Sequence, residues 1–163
     1  MNLNFVLFVI IPFVLMLITS IAFPLYRIKL MKTAGEKLLP LTKKNAKLSY
    51  TASGVAVVLL LLSIKFDFGR LNFIIPYCAV LGFVVATRES TFLPVNGVYE
   101  TLLITGSEIL KYEDIQSLPS PLSTDPDNTI TVPLKKGPSR HLVFNNSNEA
   151  FEVRHILEKK MHV

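Results

Sequence analysis

The stretch LNFVLFVIIPFVLMLITSIAF, Leu3–Phe23, decides the reading of this chain, because it holds no charged residue. A helix needs about 20 apolar residues to cross a hydrocarbon core of roughly 30 Å. Two more uncharged runs follow, Leu48–Ile64 and Leu71–Ala86. Each lies near the short end of the spanning range, about 17 residues. A single such run fits a buried soluble helix. Two of them behind a full-length span predict a membrane domain, residues 1–88, with three transmembrane helices.

Between the first two runs lies YRIKLMKTAGEKLLPLTKKNAK, Tyr26–Lys47. It sets Arg27, Lys29, Lys32, Lys37, Lys43, Lys44 and Lys47 against one acid, Glu36. Short loops rich in lysine and arginine stay in the cytoplasm. The second connection, Lys65–Arg70, is short and nearly balanced. The expected topology is N-terminus outside and C-terminal domain cytoplasmic, in the cell membrane. Met1-Asn2-Leu3-Asn4 carries no basic residue, and Ile18–Pro24 makes a poor cleavage site. A retained helix is therefore expected, not a cleaved signal peptide.

The formal net charge of +5 conceals two signs. Residues 1–88 hold 10 Lys+Arg and 2 Asp+Glu, giving +8; residues 89–163 hold 7 and 10, giving −3. The positive excess flanks the apolar helices and the tail is mildly acidic. A nucleic-acid partner needs a clustered cationic face. None is expected here.

Within the spans, Pro12 should kink the first helix, since proline removes an amide donor and crowds the preceding turn. Cys78, Gly82 and Ala86 recur every four residues, and Ala52 and Ala56 repeat the spacing. Small residues let helix backbones approach closely. They are read as helix-packing residues, chiefly within this hairpin. The basic segment is first a topology determinant. Its interleaved Leu25, Ile28, Met31, Leu38, Leu39 and Leu41 also fit a membrane surface. Gly35 and Pro40 interrupt any long amphipathic helix there.

Residues 89–94 read as a linker, and residues 95–163 as a small cytoplasmic α+β domain. Val95–Thr105 and Ile109–Leu118 read as strands around a turn at Gly106-Ser107. A loop rich in turn formers spans residues 119–128. Thr129–Leu134 and Arg140–Phe144 read as strands joined by Lys135-Lys136-Gly137-Pro138. Asn146 and Glu149 form a capping-box-like start to a last helix. Its apolar stripe is Ala150, Val153, Leu157 and Met161. The whole is an antiparallel sheet closed by a C-terminal helix.

Gly97-Val98-Tyr99, then Leu103, then Tyr112-Glu113-Asp114-Ile115, two further strands and a helix resemble bacterial pleckstrin-homology-like domains. Such domains often follow transmembrane helices in small multi-pass membrane proteins. The resemblance covers residues 95–161. Four or five strands are counted where a complete fold has seven, so it implies a truncated variant. The expected domain core is Tyr99, Leu103, Tyr112, Ile115, Val153 and Leu157.

No catalytic constellation stands out. The chain has no Gly-x-Ser-x-Gly elbow, no HExxH pair and no phosphate-cradling glycine loop. His155 and His162 are seven apart, wider than zinc ligands on one helix. Cys78 is the only cysteine, so an intrachain disulfide is impossible. No cofactor, metal or catalytic residue is expected. The leading expectation is a non-enzymatic membrane protein whose cytoplasmic domain is a protein-interaction or regulatory module, with a membrane or cytoplasmic protein partner. An anionic-lipid-binding surface module and a membrane immunity or toxin-resistance protein are the alternatives.

Overall fold

The computed structural model describes residues 6–42, 46–66, 69, 71–106, 108–117 and 127–161. The chain divides into two units. One is helical, from Met1–Lys29 and Asn45–Phe92; the other is α+β, from Leu30–Lys44 and Leu93–Val163.

Among the described residues, three helices are long and apolar enough to cross a membrane. The first begins as a π-helical turn at Val6–Ile10 and continues as α1, Ile11–Ala34. Pro12 is the second residue of α1, directly behind the π-helical turn. Beside this proline, where the sequence predicts a kink, the winding changes from π to α. Pro24 lies inside α1 and does not end it. The helix runs 11 residues past the predicted limit at Phe23, through Leu25, Leu30, Met31 and other good helix formers. It stops at Gly35, whose φ of 77° is the left-handed conformation glycine adopts freely.

α2 is Lys47–Lys65, as expected. α3 is Leu71–Phe92, longer than the predicted run. Residues 89–92, read as linker, are its last turn, followed by a 3-10 turn at Leu93–Val95. The hydroxyls of Ser90 and Thr91 bond back to the Thr87 carbonyl, and Phe92 is buried, so the polar end stays helical. Met16, Ala56, Leu60, Ala79 and Val80 form the core of this unit.

The α+β unit begins before α2. Lys37–Pro40 is a strand, β1, within the segment read as a membrane-surface loop. It pairs antiparallel with β2, Gly97–Tyr99. β2 pairs with β3, Leu102–Thr105, and β3 with β4, Glu108–Lys111. The order is β1-β2-β3-β4. The predicted strand Val95–Thr105 is therefore two, folded back at Glu100-Thr101. The turn expected at Gly106 is present, with Thr105 opposite Glu108. Tyr112–Asp114 form a 3-10 turn instead of a strand, and Ile115 makes an isolated bridge to Leu134.

β5, Thr129–Val132, and β6, Arg140–Val143, form the expected hairpin. α4, Ser147–Met161, follows. The Asn146 side-chain oxygen accepts from the Glu149 amide at 2.7 Å, which caps α4. Glu149 does not close the box on Asn146. Its carboxylate takes the amide and hydroxyl of Thr42, tying the segment after β1 to α4. Leu41, Val98, Leu103, Leu110, Ile115, Ile130, Val132, Leu142, Val153 and Leu157 are buried together as one core.

Candidate functional site

The structure disperses the described basic residues of the first connection. Arg27 lies on α1, and its Nη1 donates to the Thr91 carbonyl at 3.5 Å. Lys37 lies on β1. Its Nζ donates to the Asn96 carbonyl at 2.8 Å and sits 5.3 Å from the Tyr99 ring centroid. That ammonium holds the sheet edge. Lys47 opens α2. Lys29 and Lys32 are exposed on the last turns of α1. Lys43 and Lys44 lie outside the described residues.

The small-residue set is also divided. Ala56 and Ala86 are buried, while Cys78, Gly82 and Ala52 are exposed. A side chain at Gly82 would meet nothing within 4 Å. The seam between α2 and α3 uses Ala56, Leu60, Ala79 and Val80 instead. Ala79 and Ala86 are seven apart and share one helix face, whereas Cys78 and Gly82 are displaced by about 100° per residue. Gly82 lines, with Ala52, Leu81, Val85 and the edge of Ala86, an open apolar groove of about 410 Å³. Its end holds a Ser49 hydroxyl that donates to Glu89 at 2.8 Å.

Two clefts mark the α+β unit. The larger, about 470 Å³, is lined by Thr33, Glu100, Thr101, Lys111, Tyr112, Glu113 and Lys160. Most of its polar groups are already engaged. Lys111 pairs with Glu113 at 3.1 Å. The Tyr112 hydroxyl reaches the carbonyls of Tyr99 at 2.7 Å and Leu102 at 3.2 Å. Burial pushes its phenol above the ordinary tyrosine range. The hydroxyl of Thr101 reaches the carbonyls of Thr33 and Ala34. Sequence reasoning missed this clasp; its one local signal was Gly35.

The second cleft, about 320 Å³, lies along α4 and β5. Thr129, Ile130, Asn148, Phe151 and Arg154 line it. Phe151 is 72% exposed, on the side of α4 away from buried Val153 and Leu157. The expected core residues Leu103, Ile115, Val153 and Leu157 are all buried, as is Tyr99; Tyr112 is half-buried. Among the described residues, no three His, Cys, Asp or Glu side chains gather as a metal site would require. His141 contacts the Thr131 hydroxyl at 2.9 Å; His162 lies outside the described residues.

No protein-family model, curated protein or solved structure matches this chain.

Proposed function

We propose that this chain is a three-span membrane protein whose cytoplasmic α+β domain is a pleckstrin-homology-like, non-enzymatic module that binds a protein partner. Insertion is supported by the side chains the helical unit leaves uncovered. Phe13, Ile18, Ile21, Leu61, Leu81 and Val85 are all exposed, an arrangement costly in water and neutral in lipid. Tyr26 and Tyr50 are exposed near the helix ends that carry the lysines, where aromatic residues mark a membrane–water interface. An antiparallel sheet, a second hairpin and a C-terminal helix support the domain reading.

Phe151 carries the protein-binding reading. A large aromatic exposed beside a cleft lined by polar Thr129, Asn148 and Arg154 with Ile130 and Ala150 is the kind of anchor that interfaces bury. The test is affinity purification of the full chain in mild detergent. A partner captured by the native protein and lost with Phe151→Ala, at equal expression, is expected. Equal capture by both would remove the assignment to this cleft. Topology is tested separately in a Cys78→Ser background. Cysteine at Asn45 should resist an impermeant thiol reagent in intact cells and cysteine at Asp67 should react. The reverse pattern would place the domain outside and end the cytoplasmic reading.

A further inference from the structure

The first apolar helix is longer than a bilayer needs. From Val6 to Ala34 it has 29 residues, about 43 Å at 1.5 Å per residue, against a hydrocarbon core of about 30 Å. Its C-terminal turns therefore reach the headgroup layer, whether by protruding or by tilting. Ile18, Ile21, Leu25 and Ile28 are between 54% and 60% exposed. At about 100° per residue these four and Lys29 and Lys32 fall within one arc of about 100°. One face of a single helix thus passes from branched apolar side chains to two cations. Both lysines are exposed, and neither holds a hydrogen bond or ion pair among the described residues. Arg27 and Lys37, by contrast, are spent on protein carbonyls.

We propose that this face of α1 is a site for an anionic phospholipid of the cytoplasmic leaflet. An acyl chain lies along Ile18, Ile21, Leu25 and Ile28, and the headgroup phosphate meets Lys29 and Lys32. The inference rests on the membrane reading above. The 3-4-3 spacing of the apolar residues also suits a second copy of α1. A parallel pair would set like charges against each other at Lys29 and Lys32. A phosphate neutralises them, which favours the lipid.

The full chain in mild detergent is titrated with phosphatidylglycerol or phosphatidylcholine, and bound lipid is counted by native mass spectrometry. Each lysine near an anionic headgroup is worth about fivefold in affinity. The native protein should prefer phosphatidylglycerol by roughly tenfold or more. Lys29→Gln with Lys32→Gln should abolish the preference, and the Lys→Arg pair should retain it. Glycerol 1-phosphate should not displace the lipid.

A preference unchanged in the Gln pair would overturn the proposal. So would displacement by glycerol 1-phosphate, which would make this a free-phosphate site. So would spontaneous cross-linking of Ile21→Cys in a Cys78→Ser background, which would seat a second copy there. Extraction of the native protein from membranes by alkaline carbonate would sink the membrane reading as well. Retention in the membrane with no lipid preference would sink the lipid site alone.

Discussion

The Thr101 hydroxyl donates to the carbonyl of Thr33 at 2.9 Å and reaches that of Ala34 at 3.2 Å. The Thr101 amide donates to the Ala34 carbonyl at 3.2 Å, and the Glu100 amide to that of Glu36 at 3.1 Å. The last carbonyls of a helix have no partner within it. Here the β2–β3 turn supplies them. Thr101→Val keeps the shape and removes the hydroxyl, at a cost of about 1 kcal/mol. Hydrogen exchange in residues 30–42 should accelerate about fivefold, and Thr101→Ser should restore protection. Unchanged exchange in the valine variant would show that the hydroxyl contributes nothing.

Gly35 is the more sensitive member of the same clasp. Its φ is 77°, and a Cβ there would collide with the Glu100 side chain. Gly35→Ala should destabilise the α+β unit by about 1–3 kcal/mol. Adding Glu100→Gly, which removes the whole side chain including its Cβ, should recover only part, since the backbone strain persists. Full recovery by the second substitution would mean that the collision alone mattered. Thermal melts of the purified chain decide between them.

Leu157 is fully buried against the sheet, and Phe151, six residues earlier, is exposed. Leu157→Ala should cost about 2–5 kcal/mol; Phe151→Ala should stay within about 0.5 kcal/mol. Domain stabilities of about 5–15 kcal/mol make the first loss severe. Protease resistance of the tail measures both. Equal resistance would contradict the packing of α4.

Gly82 and Ala79 occupy neighbouring faces of α3. A side chain at Gly82 meets open space, and Ala79 is buried in the helical core. Gly82→Leu should express and melt like the native chain. Ala79→Leu overpacks the seam with α2 and should cost about 1–3 kcal/mol. Loss of expression with Gly82→Leu would place a close neighbour over that glycine.

Tyr112 gives the α+β unit a dependence on alkali. Its phenol is raised by burial, against an ordinary value of about 10. Below that value the phenol is neutral in both states and the stability is intact. Above it the unfolded chain releases a proton that the folded chain keeps, so stability falls as pH rises. Tyr112→Phe, less stable near neutrality by about 1 kcal/mol, should narrow its gap to the native chain between about pH 10 and 11. A constant gap would mean that Tyr112 titrates normally.

Several elements were legible along the chain because their signals are local. An uncharged run of sufficient length predicts a long apolar helix, and three such helices are present among the described residues. The Asn146 cap and the stripe Ala150, Val153, Leu157 follow from helical geometry, and α4 buries that stripe. Gly106 marked the β3–β4 turn, where its φ is 63°.

β1 was not legible. Lys37-Leu38-Leu39-Pro40 is too short for a period, and its lysine resembles its basic neighbours. It becomes a strand by pairing with Gly97–Tyr99, through backbone groups that nearly every residue carries alike. The same holds for the Thr101 clasp, the carboxylate of Glu149 on Thr42 and the choice of Ala79 over Gly82 for the helix seam. Spacing and charge along the chain set which segments could be helix or strand. Tertiary structure decided which distant partner each one met, because that depends on the backbone geometry of the whole unit.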